Sequence, residues 1–215
     1  MNEQYKYGNL CDKYDMDGDI HISTGTLRVH DIFNPIPEFM KQADVMFSDP
    51  PCSKANINSF YVKAEKEERQ DSYEPFHNRF FEVVDEIKPR VLFLEVFRSN
   101  KDKFLAEVQK RYANVQVFES MYYNKPSNKC WIIQASNEPL QELSFWHNLI
   151  DEEKVIREIC EHVPFSCIAD PCMGKGLVAF YASKFGKHFV GTELNKYRLA
   201  VCLERVSTGN RGSIN

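Results

Sequence analysis

The chain has 215 residues, of which 43% are apolar and 27% charged, and its net charge is −4. That length can bury a full core, and one α/β domain of this size is ordinary. No apolar run approaches the ~18 residues of a membrane span, and although general phosphate affinity comes from Lys and Arg, a balance this slightly acidic neither supports nor excludes a nucleic-acid partner.

Seven cysteines, an odd number with no Cys-x-x-Cys pair, read as the reduced thiols of a cytoplasmic protein, with Cys160, Cys167 and Cys202 as core residues. Residues Met1 to Lys6 carry no apolar stretch of a leader. No metal site is expected. Asp15-Met16-Asp17-Gly18-Asp19 lacks the later glycine and glutamate of a calcium loop, so a hairpin turn around Asp17-Gly18 is expected instead.

Strands are expected near 27–30 and 44–48. The segment Ser53–Ser72 is polar and charged and reads as a loop or exposed helix over the end of the preceding strand. Phe76, Phe80, Val83, Val84 and Ile87 form an apolar stripe at helical spacing. A buried strand Arg90–Val96, a helix Lys101–Tyr112 and a strand Val115–Phe118 follow. Tyr122–Lys129 reads as a turn into a strand Cys130–Gln134, and a helix is expected over 151–162. The tail Ser207–Asn215 is polar and is expected to fray. Lys101, Lys103, Lys110, Arg111, Lys125 and Lys129 are basic; solvated helix faces explain them as well as a nucleic-acid contact does.

The densest signal is Ile168-Ala169-Asp170-Pro171-Cys172-Met173-Gly174-Lys175-Gly176. An apolar strand runs into a Gly-x-Gly turn, an amphipathic helix spans about Leu177–Phe185, and a second strand, His188–Thr192, ends on Glu193. Strand, glycine turn, helix, strand and acid form the plan of a nucleoside-cofactor site on a parallel sheet. Glycines let backbone approach a ligand. The interval from Gly176 to Glu193 is close to the ~20 residues that bring an acid to ribose hydroxyls. The third glycine of the dinucleotide fingerprint is absent, and Lys175 is not in a Gly-Lys-Ser/Thr setting. A nucleoside without phosphate fits better.

These residues, with Gly186-Lys187-His188-Phe189-Val190-Gly191-Thr192-Glu193-Leu194-Asn195, resemble the cofactor motifs of S-adenosylmethionine-dependent DNA methyltransferases that act on exocyclic amines. Upstream, Val45-Met46-Phe47-Ser48-Asp49-Pro50-Pro51-Cys52 resembles that family's catalytic Asp-Pro-Pro-aromatic tetrad, and Leu27–Phe33 the strand whose terminal acid, here Asp31, contacts the cofactor adenine. The catalytic motif precedes the cofactor motif, the order of the family's β class. The resemblance implies a single Rossmann-like, doubly wound α/β domain, mostly parallel with one antiparallel strand near the edge. Its catalytic half would cover about 27–134 and its cofactor half about 145–206. It also implies S-adenosylmethionine as cofactor. Asp170, Cys172, Gly174 and Gly176 would hold its methionine end, Glu193 the ribose, and Asn195 would belong to the same motif.

The chemistry implied at Asp49, Pro50 and Pro51 is amine activation. A base amine is a poor nucleophile because its lone pair is delocalised into the ring. Hydrogen bonds from its N–H groups to the Asp49 carboxylate and the Pro50 carbonyl would restore that lone pair, and proline fixes the carbonyl direction. The rest is positioning, and a duplex substrate would need its base flipped out. The sequence departs from the family at Cys52, where a stacking aromatic is usual; such stacking is worth ~1–3 kcal/mol per base. Phe60, Tyr61 or Tyr73 are the candidates to replace it. Pro51-Cys52 also resembles the nucleophile of cytosine carbon-5 methyltransferases, with Glu95 at a later strand end as the acid on the base edge. A third reading is a methyltransferase-fold subunit that binds but does not catalyse. The interval Ala135–Phe145 is too short for a target-recognition domain, so either recognition comes from a partner subunit, with a homodimer the simplest candidate, or selectivity is low, or the substrate is not long duplex DNA.

Overall fold

The computed structural model describes residues 3–212. Within it one sheet of eight strands is ordered β1-β2-β8-β7-β3-β4-β6-β5. The strands are β1 (Ile20–Ile22), β2 (Gly25–Val29), β3 (Val45–Ser48), β4 (Val91–Phe97), β5 (Asn114–Met121), β6 (Lys129–Ser136), β7 (Cys167–Asp170) and β8 (His188–Glu193). The helices are α1 (Glu3–Cys11), α2 (Lys54–Lys63), α3 (Glu74–Ile87), α4 (Lys101–Gln109), α5 (Glu152–His162), α6 (Leu177–Lys184) and α7 (Lys196–Thr208). Neighbours from β2 through β8, β7 and β3 to β4 are parallel. The expected antiparallel strand is β6, inserted between β4 and β5. At the other edge β1 adds a third antiparallel pairing, to β2.

Alternation along the strands builds the two faces. Val45, Phe47, Phe93, Ile168 and Phe189 pack with α5, α6 and α7, whereas Met46, Leu92, Leu94, Ala169 and Val190 pack with α3 and α4. A parallel sheet covered on both faces is the doubly wound plan. Chain order reverses between β7 and β3, which opens a crevice at the carboxyl ends of the strands.

The hairpin and the two terminal helices differ from the sequence reading, and the open choice of loop or exposed helix at Ser53–Ser72 falls to a helix over Lys54–Lys63. The hairpin turns at Ser23-Thr24, between β1 and β2, while Asp17-Gly18 is only a bend before β1. Residues 54–63 are helical because Ser53 caps them, its hydroxyl accepting from the Asn56 N–H at 3.2 Å; the helix has little apolar periodicity to betray it. Helix α1 was not expected; it packs Tyr7 and Leu10 against Tyr197, Ala200 and Val201 of α7. Helix α7 itself runs on through Ser207 and Thr208, into the tail expected to fray, and residues 213–215 lie outside the described range. No helix among the described residues is long and apolar enough to cross a membrane.

Candidate active site

A cavity of about 510 Å³ opens at the carboxyl ends of the parallel strands. Each of the five parallel strands contributes one acid to its wall: Asp31 after β2, Glu193 at the end of β8, Asp170 at the end of β7, Asp49 after β3, and Glu95 in β4. Ser48 is in register with Leu94, so Asp49 and Glu95 follow side by side. Glu152, the first residue of α5, joins them, and Lys175, Arg198, Arg205 and Arg211 line the same cavity.

At the glycine turn, Gly174 has φ +55° with open space where a Cβ would stand. Its N–H donates to Glu193 Oε2 at 2.8 Å, and the Asn195 N–H donates to Glu193 Oε1 at 2.9 Å. The Asp170 carboxylate accepts from the Cys172 N–H at 3.1 Å and from the Ser48 hydroxyl at 3.4 Å. Burial, reinforced by the negative charges of Asp49 and Glu193, pushes the Asp170 pKa up to about 8. Asp31 accepts from the Tyr61 hydroxyl at 2.8 Å and from the Phe33 N–H at 3.1 Å.

At the other end, the Tyr122 hydroxyl donates to Asp49 Oδ1 at 3.1 Å. Asp49 opens onto the cavity, yet protein encloses it on the other sides, and that enclosure raises its pKa to about 7. Glu95 is buried, and its pKa stands well above the carboxylate range, first through burial and then through the charges of Asp49 and Glu152. The Cys130 thiol donates to it at 3.2 Å. Glu152 titrates at about 7, again through burial and then the charge of Asp49, and accepts a hydrogen bond from the Tyr123 main chain. Its Oε2 is buried without a partner.

No protein-family profile matches the chain, and no curated protein does. Solved structures do. M1.HpyAVI in its complex with SAM superposes with a TM-score of 0.54 at 12% identity, covering 84% of this chain and 98% of the other. TTHA0409 from Thermus thermophilus, complexed with S-adenosyl-L-methionine, gives 0.58 at 13%, covering 86% and 94%. The PvuII DNA methyltransferase, cytosine-N4-specific, gives 0.58 at 10%, covering 88% and 94%. The chain shares their fold. At such identities the likeness is one of fold.

Of the residues singled out in the sequence, Asp31, Asp49, Pro51, Phe60, Tyr61, Glu95, Asp170, Cys172, Gly174 and Glu193 line the cavity. Pro50 is buried between Asp49 and Pro51. Four others stand elsewhere, each for a local reason. Gly176 has φ +75°, and a Cβ there would lie 2.1 Å from Cys202 Sγ, so this glycine lets the turn press on α7. Asn195 caps α7, its Oδ1 accepting from the Tyr197 N–H at 2.9 Å, and its Nδ2 donates to the Lys63 carbonyl at 2.8 Å. Cys52 donates its thiol to Asn56 Oδ1 at 2.6 Å. Burial, then the charge of Asp49, raises its pKa, opposite to what a thiolate nucleophile needs. Tyr73 donates to the Pro51 carbonyl at 2.7 Å, and Asn100 Nδ2 donates to the Cys52 carbonyl at 2.5 Å; together they fix the backbone after the prolines. Sequence reasoning missed Tyr122, Tyr123 and Glu152. Two adjacent tyrosines in a turn were the one signal, and nothing local tied that turn to Asp49.

Proposed function

We propose that this protein transfers the methyl group of S-adenosylmethionine to an exocyclic amine of adenine or cytosine in DNA, in the cytoplasm. The observation that carries the reading is a single cavity lined both by Asp49 and Pro51, after β3, and by the glycine turn after β7 with Glu193 of β8.

The residues present fit the cofactor. Gly174 leaves open space for close approach. Ribose hydroxyls can donate to Glu193, whose carboxylate lines the cavity and already accepts the Gly174 and Asn195 N–H groups. Asp31 keeps acceptor capacity for an adenine amine beside Tyr61. Acids around the cavity suit a cationic ligand, and Lys175 and Arg205 suit its carboxylate. When bound, S-adenosylmethionine supplies the electrophilic methyl group.

The remaining chemistry belongs to the chain. Ionised Asp49 and the Pro50 carbonyl accept the two N–H bonds of the base amine and return its lone pair to nitrogen. Tyr122 orients Asp49. As nitrogen gained the methyl group, the sulfur–methyl bond would break and leave a neutral thioether, and the proton lost by the amine would pass to Asp49, whose pKa of about 7 suits it to take a proton and release it. The carbon-5 route loses support, because Cys52 is held as a thiol off the cavity wall.

The test uses tritiated S-adenosylmethionine and unmethylated DNA. Asp49→Ala abolishes transfer while calorimetric affinity for the cofactor survives, and mass analysis of the product nucleosides gives a methyl on the exocyclic nitrogen. Product 5-methylcytosine, or a wild type that methylates no DNA, overturns the reading.

A further inference from the structure

The proposed base pocket lacks the aromatic that position 52 would supply. Of the three replacements that the sequence offered, Tyr61 has its hydroxyl on Asp31 and its ring buried, and Tyr73 is held on the Pro51 carbonyl. Phe60 faces the Arg198 guanidinium at 4.8 Å and the Lys63 ammonium at 5.8 Å, so its π-face is turned to cations.

A fourth aromatic stands at the mouth beside Asp49. Tyr123 lines the cavity with Asp49, Glu95 and Glu152, is 75% exposed, and follows the tyrosine whose hydroxyl is on Asp49. Its ring centroid is 6.1 Å from that of Tyr122, with the planes at 39°. The backbone at Tyr123 is left-handed, φ 58° and ψ 31°. A bulky side chain adopts that region only where its surroundings over-determine it, and such sites cluster where ligands are clamped. The surroundings here are specific. The Tyr122 N–H donates to the Asn128 carbonyl at 2.9 Å and the Lys125 N–H to the Tyr122 carbonyl at 3.1 Å. Glu152 holds the Tyr123 main chain, and Met121 bridges to Asp151. A rigid loop thus presents an exposed ring over the acid end of the cavity.

We infer that Tyr123 supplies the aromatic face on which the target base stacks, in place of the residue missing at position 52. The inference rests on the proposed methyl transfer to a base. Stacking needs the ring and not the hydroxyl, so Phe and Trp can serve at this position and Ala cannot.

The experiment measures steady-state methylation of unmethylated DNA by wild type, Tyr123→Ala, Tyr123→Phe, Tyr123→Trp and Phe60→Ala, with calorimetric affinity for S-adenosylmethionine alongside. Tyr123→Ala lowers kcat/KM for DNA about 5- to 150-fold with cofactor affinity unchanged, and the Phe and Trp variants stay within about threefold of wild type. Unchanged kcat/KM in Tyr123→Ala overturns the inference, as does equal loss in Tyr123→Phe. Loss confined to Phe60→Ala moves the stacking face to α2 and also overturns it. A wild type that methylates no DNA sinks the proposed function, and stacking is then read separately by fluorescence of a single-stranded oligonucleotide carrying one 2-aminopurine. Quenching by wild type and Tyr123→Phe that disappears in Tyr123→Ala sustains the role of the ring; equal signals from all three overturn it.

Discussion

Asp49, Asp170 and Glu152 hold their protons at about 7, 8 and 7 because Asp170 is buried and protein encloses Asp49 and Glu152 on the sides away from the cavity, with further carboxylates close to each. Three measurable consequences follow from the signs. Asp49 must be ionised to accept the amine hydrogen bonds, so the methylation rate should rise with pH through about 7 and fall away below it; a rate that is flat from pH 6 to 8 would contradict its role. A cationic cofactor favours the ionised forms, so binding near pH 7 should release protons, visible as a dependence of calorimetric enthalpy on buffer ionisation. For stability, a carboxyl whose folded pKa is raised stabilises the fold fully only below its unfolded value. That contribution disappears as pH rises through the folded value. For Asp170 the window lies between 3.8 and about 8. Asp170→Asn, which keeps an acceptor for the Cys172 N–H, should therefore gain in Tm relative to wild type as pH is raised across that window. Glu193→Ala removes the ribose acceptor, at ~1.5–3 kcal/mol per charged hydrogen bond, and should weaken cofactor binding at least tenfold.

At the scale of elements, the two glycines of the turn separate by function. Gly176→Ala places a Cβ against Cys202 on α7, an overpacking of ~1–3 kcal/mol added to left-handed strain of ~1–2 kcal/mol. Gly174→Ala meets no atom within 4 Å and carries the strain alone. Denaturant titration should show the larger loss at Gly176, and calorimetry the larger loss of cofactor affinity at Gly174, whose Cβ would stand in the cavity. The strands at Val45–Ser48, Cys167–Asp170 and His188–Glu193 were legible because apolar runs bounded by turn residues are local signals. Helix α2 was legible only as one of two alternatives, because a capping serine and tertiary contact decide it rather than an apolar face. Helix α1 gave equally little signal, its stability coming from packing on α7.

For the whole molecule, the net charge of −4 combines with the pairing of the basic segments. Lys103 pairs with Glu74, Lys110 with Glu107, Arg111 with Asp85, and Lys129 with Glu119. Cations already engaged by carboxylates release fewer counterions from DNA. The isolated chain should therefore bind duplex DNA no tighter than the non-specific range of ~10⁻⁴–10⁻⁶ M near physiological salt, in a fluorescence titration. Only a short segment separates β6 from α5, which fits recognition supplied by a partner subunit or by a homodimer joining two clefts. Nanomolar binding of one sequence by the isolated chain would instead place recognition in the 53–75 segment or the 122–129 turn.

The sequence by itself determined the doubly wound order of strands and helices and two of the motifs on the cavity wall. Each of those motifs is written within some ten contiguous residues, where strand period, turn glycine and terminal acid are set by local chemistry. Tertiary structure alone decided what faces what. Asp49 meets Tyr122, Glu95 and Glu152 because β3 lies beside β4, β6 inserts between β4 and β5, and α5 begins at the end of β5. Those adjacencies depend on how the sheet closes its hydrophobic faces, and that is a property of the assembled core rather than of any one segment. The same closure turned Cys52, Gly176 and Asn195 into packing and capping residues and brought Tyr123, which sequence reading left in a turn, to the mouth of the cavity.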